Sequence, residues 1–214
     1  ANAFLLPFLR RPWMRGTWSA LDGVIVHSRH QETTIRNAGC SNVAVIPHFV
    51  PRKAPLAKRG SDVVLFCYFS SDKGQDLAIK AWSFLGSDAP KLILAGGVRR
   101  REDESYYQEC RSLIYKLGLE SRIEITGFVP SEAVRSLYER AALVIAPFRT
   151  TTGSGSLAMA FAYRTPVLAS DLALNREIEE RVPGSLAFFA AESPESLAEE
   201  TTKLLRSPDR LRSL

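Results

Sequence analysis

Glycine and hydroxyl side chains are concentrated in residues 150–156, Thr-Thr-Thr-Gly-Ser-Gly-Ser, which follow an apolar run at residues 143–146. Residues 157–163 are predicted to form a helix, and the first backbone N–H groups of a helix have no intrahelical partner and carry the positive end of its dipole. Glycine lets the backbone approach a ligand closely, and serine caps a helix or donates to phosphate. The residues expected to do so are Gly153, Ser154, Gly155 and Ser156. This segment, the Gly/Ser loop, therefore predicts a phosphate-binding site.

Strand-length apolar segments alternate with segments of helical periodicity along most of the chain. This alternation predicts an α/β fold, with a doubly wound, Rossmann-like parallel sheet and crossover helices. The predicted strands of the main domain are residues 63–67, 92–95, 123–125, 143–146, 167–169 and 186–189. The predicted helices are residues 75–84, 103–117, 131–139, 157–163 and 194–205. Ligands bind beyond the carboxyl ends of strands in such sheets, which is where the Gly/Ser loop is expected to lie.

A smaller βαβ unit is predicted ahead of this domain. Its strands are residues 23–27 and 43–46, and its helix, residues 29–38, begins where Ser28 and Gln31 fit a capping box. A segment rich in Pro, Lys and Arg without periodicity follows, which is typical of a linker. The predicted division is the tail of a first Rossmann-like domain at residues 1–46, a linker at residues 47–60 and a complete domain at residues 61–214.

Composition is that of an ordinary globular domain. The chain has 214 residues, 45% of them hydrophobic, which is enough to bury a full core. No apolar run approaches the length that crosses a bilayer, and no secretory signal opens the chain, so we expect a cytoplasmic protein. The three cysteines lack paired spacing and are expected to be reduced thiols. His27 and His30 have no third ligand at metal-site spacing, so no metal site is predicted.

The formal net charge of +5 suits an anionic ligand or surface. Near the amino terminus, arginines interleave with aromatic residues, a pattern that also fits an amphipathic segment at the inner face of a membrane, although prolines interrupt it. These residues are Phe4, Phe8, Arg10, Arg11, Trp13, Arg15 and Trp18, with Pro7 and Pro12. A second basic run, residues 99–101, follows the predicted strand 92–95 and would lie either at the ligand crevice or, the favoured interpretation, at a solvated helix start. Nucleic-acid binding is not expected, because arginines elsewhere are scattered among acidic residues.

Several short sequences occur in a characteristic order. Downstream they are APF, SGSL, TPVLASD and NREI, and upstream FCYFSSDKG, LILAGG and GFVP. Together they resemble the donor-binding core of the group 1 glycosyltransferases, a large retaining family with the GT-B architecture. The resemblance extends over nearly everything from about residue 21 to residue 205, and it implies that the main domain is the second, nucleotide-sugar-binding domain of that architecture.

The resemblance also implies roles for individual residues. The Gly/Ser loop and Lys73, followed by Gly74, would contact the diphosphate of a nucleotide-sugar, and Phe128 and Val129 would flank its base through backbone groups. Pro47-His48 resembles the hinge between the two GT-B domains. The other candidates for donor binding are Tyr68, Arg149 and Thr150. The family depends on no protein-held metal, and no cofactor besides the donor substrate is implied.

The chain departs from the family pattern at two glutamates. The helix glutamate that bonds the ribose falls on Met159, and the glutamate before the loop falls on Thr150 or Thr151. Tyr68 fits a branch that has tyrosine where other members have arginine and that also lacks the helix glutamate. Glu177, in the acidic loop expected after residues 167–169, is the nearest remaining carboxylate. It is either a catalytic residue or a solvated helix residue.

Transfer from a nucleotide-sugar places negative charge on the leaving diphosphate, so cations and N–H donors aimed at it would carry the catalysis. Lys73, the N–H groups of residues 153–156 and Arg149 are the expected donors. The resemblance implies a fragment of a retaining glycosyltransferase acting on a glycan, lipid or small-molecule acceptor. The acceptor site and a catalytic-region histidine would lie on the missing part of the first domain. Two alternatives stay open: a catalytically inactive nucleotide-sugar-binding subunit or paralogue, and a basic module that binds a membrane or nucleic acid.

Overall fold

The computed structural model of the chain describes residues 18, 20–53 and 59–214. Except for Trp18, the aromatic and basic residues of the predicted membrane segment lie outside the described residues, as does part of the predicted linker. In the described ranges, no helix combines the length and apolar character needed to cross a bilayer.

The small unit at the start of the described chain is a βαβ motif. Strands β1 (Val24–Val26) and β2 (Val43–Val45) pair in parallel, and helix α1 (Arg29–Asn37) connects them. The hydroxyl of Ser28 caps α1 by accepting from the Gln31 amide at 3.1 Å. The Gln31 side chain in turn accepts from the amide of His27, one residue before the position of a standard capping box.

The larger unit contains a six-stranded parallel sheet in the described part of the chain, and it confirms the predicted doubly wound fold. Its strands are β3 (Asp62–Phe66), β4 (Leu92–Ala95), β5 (Ile123–Gly127), β6 (Ala141–Ala146), β7 (Val167–Ser170) and β8 (Ala187–Phe189). Their order across the sheet is β5-β4-β3-β6-β7-β8, which is the Rossmann order. Strands β4 and β5 are added on one side of β3 and strands β6, β7 and β8 on the other, so the switch point of the sheet lies between β3 and β6.

Helices pack on both faces of this sheet. They are α2 (Gln75–Phe84), α3 (Glu104–Lys116), α4 (Val134–Arg140), α5 (Gly155–Ala162), α6 (Ala173–Arg181), α7 (Pro194–Leu205) and α8 (Pro208–Ser213), with short 3₁₀ turns at Ser71–Lys73 and Arg101–Asp103. The prediction of an acidic loop after β7 is wrong, because α6 occupies that segment. Leu174 and Ile178 lie one helical turn apart there, and Leu174 is buried.

Two apolar cores lie on opposite faces of the sheet, because successive strand residues point to opposite sides. Val63 and Leu65 of β3 belong to one core, with Trp82 of α2, whereas Val64 belongs to the other, with Tyr138 of α4. The strands are buried on both faces, as the continuous apolar runs in the sequence indicated. This arrangement fixes the strand ends, and therefore the loops that follow them.

Candidate functional site

A cleft of about 1020 Å³ lies at the carboxyl ends of the strands, where β3 and β6 diverge. The loops after β3, β4, β5 and β6 line this main cleft, together with the start of α5. Neighbouring loops separate at such a switch point, which makes it the usual ligand crevice of an open α/β sheet.

The main cleft brings together most of the site residues predicted from the sequence. The predicted residues that line it are Tyr68, Lys73, Phe128, Val129, Arg149, Thr150, Gly153, Ser154, Gly155 and Ser156. Gly74 is adjacent to it, and Glu177 lines a different cavity. Arg99 and Arg100 also line the main cleft, which agrees with the less favoured of the two interpretations of residues 99–101, a position at the ligand crevice. Met159 lines it as well, from helix α5.

Two glycines let the loops around the switch point approach each other. Gly74 has φ = +69°, and a Cβ there would overlap the carbonyl oxygen of Pro147, which follows β6. Gly96, after β4, has φ = +151°, and a Cβ there would overlap the carbonyl oxygen of Cys67. Glycine is therefore required at both positions on two counts, conformation and space. The site depends on this contact between backbones.

The Gly/Ser loop leads directly into α5, which begins at Gly155, earlier than the predicted residue 157. Ser154 is the N-cap, and its hydroxyl accepts from the amide of Leu157 at 3.2 Å. The amides of Gly155 and Ser156 precede the first intrahelical bond and are directed away from the helix at its positive end. The hydroxyl of Thr151 is buried with no hydrogen-bond partner among the described residues. The amides of Gly155 and Ser156 are donors that fit an anionic group in the cleft.

Lys73 lies in the loop after β3 and also lines the main cleft. Its Nζ is 2.9 Å from a carboxylate oxygen of Asp72 and 4.8 Å from the ring centre of Phe148. Burial alone would raise the pKa of Asp72, but hydrogen bonds from Ser70 and Lys73 and the charge of Lys73 outweigh it and hold that pKa below its usual value. Lys73 is thus a partly exposed cation placed in the cleft by its acidic neighbour.

Arg149 follows β6 and connects it to the first turn of α2. Its guanidinium donates to both carboxylate oxygens of Asp76, at 2.9 and 2.7 Å, and to the carbonyl of Ser71 at 2.6 Å. Tyr106 donates to the same carboxylate at 2.7 Å. Burial would raise the pKa of Asp76, yet the bonds from Arg149 and Tyr106 lower it below its usual value. Arg149 therefore fixes one loop against the other, a role that the sequence did not indicate.

Aromatic side chains lie at the mouth of the main cleft. Phe128 is 69% exposed and Tyr68 is 44% exposed, so part of each ring is accessible to a flat group such as a nucleobase. The guanidinium of Arg99 lies 5.6 Å from the ring centre of Tyr68. Val129, beside Phe128, packs against the apolar core below.

The back of the Gly/Ser loop faces a second cavity, of about 190 Å³, between the small unit and helices α5 and α6. The rings of His27 and His48 lie there with centres 5.5 Å apart. A Cβ built on Gly153 would be 3.2 Å from a ring carbon of each. The sequence indicated only a hinge position for His48, and the spacing of His27 and His48 did not indicate that their rings are in contact.

Glu177 lies in α6 and lines this second cavity. Both its carboxylate oxygens accept from the amide of Arg29, the first residue of α1, at 2.9 Å. Arg181 donates to the same carboxylate at 2.5 Å. Glu177 is therefore neither in a loop nor fully solvated, and it connects the small unit to the large one. Its predicted catalytic role is untested by this placement.

No three His, Cys, Asp or Glu side chains come together as a potential metal site within the described ranges. The expectation that no metal is needed stays a prediction.

A family model described as "Glycosyl transferases group 1" matches residues 61–207. No curated protein sequence matches the chain.

Several solved structures share the fold of this chain. The Anabaena protein Alr3699/HepE, solved in complex with UDP, has a TM-score of 0.79 at 20% identity, over 99% of this chain and 61% of that one. Sucrose-phosphate synthase from Thermosynechococcus elongatus has a TM-score of 0.71 at 19% identity, over 93% of this chain and 53% of that one. A variant of S. aureus TarM, solved with UDP among its ligands, has a TM-score of 0.77 at 15% identity, over 94% and 40%. The chain thus spans about 60% or less of the length of these proteins.

Proposed function

The chain belongs to the group 1 glycosyltransferases, and we propose that its main cleft binds a nucleotide-diphosphate-sugar as the donor of a sugar-transfer reaction. The observation that carries this proposal is the meeting of Lys73 with the Gly/Ser loop and the start of α5 at the switch point of the sheet. The presence of UDP or UDP-glucose in complexes of structural neighbours supports the same donor class.

In this proposal the diphosphate lies at the start of α5. The amides of Gly155 and Ser156 donate to it, and Lys73, from the loop after β3, also contacts it. As the bond between the anomeric carbon and phosphate breaks, negative charge accumulates on the leaving diphosphate. Fixed donors aimed at that charge lower the barrier, because they are already oriented before the reaction begins. The exposed ring of Phe128 covers the base.

Retention of configuration and an acceptor that is a glycan, a lipid or a small molecule follow from the family assignment alone and stay predictions. The same holds for a cytoplasmic location, with membrane contact through the amino-terminal segment. A test of retention is to incubate the whole enzyme with UDP-glucose, or with the donor it binds, and to record the anomeric configuration of the product by NMR. An inverted product would contradict the retaining assignment.

A calorimetric titration of the chain with UDP, GDP and ADP tests donor binding. We expect saturable binding of one of them, weakened about tenfold or more by Lys73→Ala, because a charge-assisted hydrogen bond is lost. Lys116→Ala is the matched control, since Lys116 is exposed near the end of α3 and lies outside the cleft. Absence of binding by all three nucleotides would overturn the proposal.

A second candidate function is donor binding without transfer. It is favoured by the small number of carboxylates available at the main cleft. Met159 occupies the position where the family pattern has a helix glutamate, and Asp72 is paired with Lys73. Among the described residues, Asp103 is the other acidic side chain that lines the cleft. Nucleotide binding without release of sugar from the bound conjugate, measured with the whole protein, would identify this case.

A further inference from the structure

The charges in the main cleft are unequally compensated. Within the described ranges, four basic side chains line it, and three of them have an acidic partner: Lys73 with Asp72 at 2.9 Å, Arg149 with Asp76 at 2.7 Å and Arg100 with Glu102 at 3.6 Å. The fourth, Arg99, has no ion-pair partner among the residues that the structure describes. An uncompensated guanidinium in a cleft is a cation available to a ligand.

Backbone pairing between the segments after β3 and β4 determines the position of Arg99. The parallel pairing of β3 and β4 continues past the strand ends, with a bridge between Phe69 and Val98 and a bond from the Phe69 amide to the Gly97 carbonyl at 3.0 Å. In this parallel register Arg99 lies beside Ser70. Arg99 and Tyr68 are each one residue from the paired positions, so they project to the same side as diagonal neighbours. The Arg99 guanidinium accordingly lies over the Tyr68 ring, 5.6 Å from its centre.

A cation–π contact restricts a long side chain without consuming its hydrogen-bond donors. A guanidinium that lies over an aromatic face is attracted by the ring, while its N–H groups point outward in its own plane. Those N–H groups can then form paired bonds to phosphate oxygens, which lysine, as a point charge, does not form.

We propose that Arg99, positioned over the ring of Tyr68, is a second cation for the diphosphate of the donor, in addition to Lys73. The inference rests on the proposed function, because it assigns a further contact in the same cleft. It differs from a nucleobase-stacking role for the Tyr68–Arg99 pair, which would leave the phosphates to Lys73 and the Gly/Ser loop.

The test compares Arg99→Ala, Arg99→Lys and Arg111→Ala by calorimetric titration with UDP, GDP and ADP. Binding of the matching nucleosides is followed by saturation-transfer NMR, which detects weak ligands. Arg111→Ala is the matched control, because Arg111 is exposed on α3, lies outside the cleft and has its guanidinium 5.9 Å from the ring centre of Tyr107. We expect Arg99→Ala to weaken nucleoside diphosphate binding about tenfold, Arg99→Lys to recover part of that loss, and Arg111→Ala to change it less than about threefold. Nucleoside binding is expected to stay within about twofold, because it involves no phosphate.

The outcomes separate this inference from the function on which it rests. Wild-type binding with Arg99→Ala unchanged overturns the inference alone. Equal losses for the nucleoside and the nucleoside diphosphate also overturn it, since they assign Arg99 to the base. Failure of the wild-type chain to bind any of the three nucleotides overturns the donor proposal and this inference with it.

Discussion

The two sides of the Gly/Ser loop, residues 150–156, have opposite surroundings. The front faces the main cleft of about 1020 Å³, which is basic and open to a ligand. The back faces the second cavity of about 190 Å³, which is lined mainly by apolar side chains and by His27 and His48. One short loop therefore presents donors to a ligand and also packs against the small βαβ unit.

A carboxylate connects two elements on each side, but the connection differs. Beside the main cleft, Asp76 in the first turn of α2 pairs with the guanidinium of Arg149, which follows β6, and so joins these two segments. At the second cavity, Glu177 accepts from the amide of Arg29 at the start of α1 and so joins the small unit to α6. The comparison teaches that contacts on the front position the site, whereas contacts on the back position the units. Substitutions on the two sides should therefore have separable effects on ligand binding and on unfolding.

The largest effect is expected from Gly74→Ala, which disrupts the front. The substitution strains a residue at φ = +69° and overlaps the carbonyl of Pro147, so the loops after β3 and β6 must separate. We expect a loss of about 2–4 kcal/mol in the free energy of unfolding, with loss of nucleotide binding. Urea unfolding and calorimetric titration measure the two.

Gly118→Ala is the matched control for this substitution. Gly118 has φ = +63° but no atom within 4 Å of a Cβ, so it shares the conformational strain without the overlap. We expect a loss of about 1–2 kcal/mol and unchanged nucleotide binding. Equal losses for the two glycine variants would show that the close approach at Gly74 contributes nothing.

Asp76→Asn is expected to be next in size. It removes the negative charge and one of the two oxygen acceptors paired with the guanidinium of Arg149, whose side chain is 26% exposed, and the expected loss is about 2 kcal/mol at pH 7. The pKa of Asp76 is lower in the folded protein than its usual value, so the wild-type carboxylate stabilises the fold above about pH 4 and loses that effect as the pH falls through its folded pKa.

The difference in unfolding free energy between wild type and Asp76→Asn should therefore shrink as the pH is lowered below about 4, measured by urea unfolding across the acid range. Glu109→Gln, on the exposed face of α3, is the control for removing an acidic charge without a paired arginine. A difference that is constant down to the acid limit would contradict the ion-pair account.

Much of the fold could be predicted from the sequence, because it depends on local patterns. The continuous apolar strands, such as Leu92–Ala95, and the helices between them indicated a parallel sheet and placed the Gly/Ser loop at its carboxyl edge. Helix α6 was not predicted, because its acidic residues suggested a loop. The helical spacing of the apolar residues Leu174 and Ile178 indicates the helix instead.

The side-chain partners at the site could not be predicted in the same way. Arg149 and Asp76 are 73 residues apart, and their meeting depends on the close approach of two loops that only the folded sheet brings together. The contact between His27 and His48 likewise needs both the small unit and Gly153 in place. Sequence motifs indicated which loops line the candidate site, and packing determines which of its charged side chains have an ion-pair partner.

Glu177→Gln tests whether a contact at the back of the Gly/Ser loop affects unfolding without affecting nucleotide binding at the front. The amide retains one acceptor for the Arg29 N–H but loses the charge that favours the start of α1 and the pair with Arg181. We expect a loss of about 1 kcal/mol in unfolding free energy and nucleotide affinity within about twofold of wild type. The same variant in the whole enzyme tests the predicted catalytic role of Glu177. A loss of turnover with unchanged unfolding would support catalysis over connection of the units.

The smallest effect is expected at Gly153, where the two sides meet through one residue. A Cβ there would be 3.2 Å from a ring carbon of each histidine, a tight contact with side chains that can shift. We expect Gly153→Ala to cost about 1 kcal/mol in the free energy of unfolding, and part of that cost to disappear when His48→Ala is introduced as well. A double-mutant cycle by urea unfolding measures the coupling, expected at about 0.5 kcal/mol. Additive losses would indicate that the backbone conformation of Gly153, at φ = +157°, causes the whole effect and that the histidines do not constrain the loop.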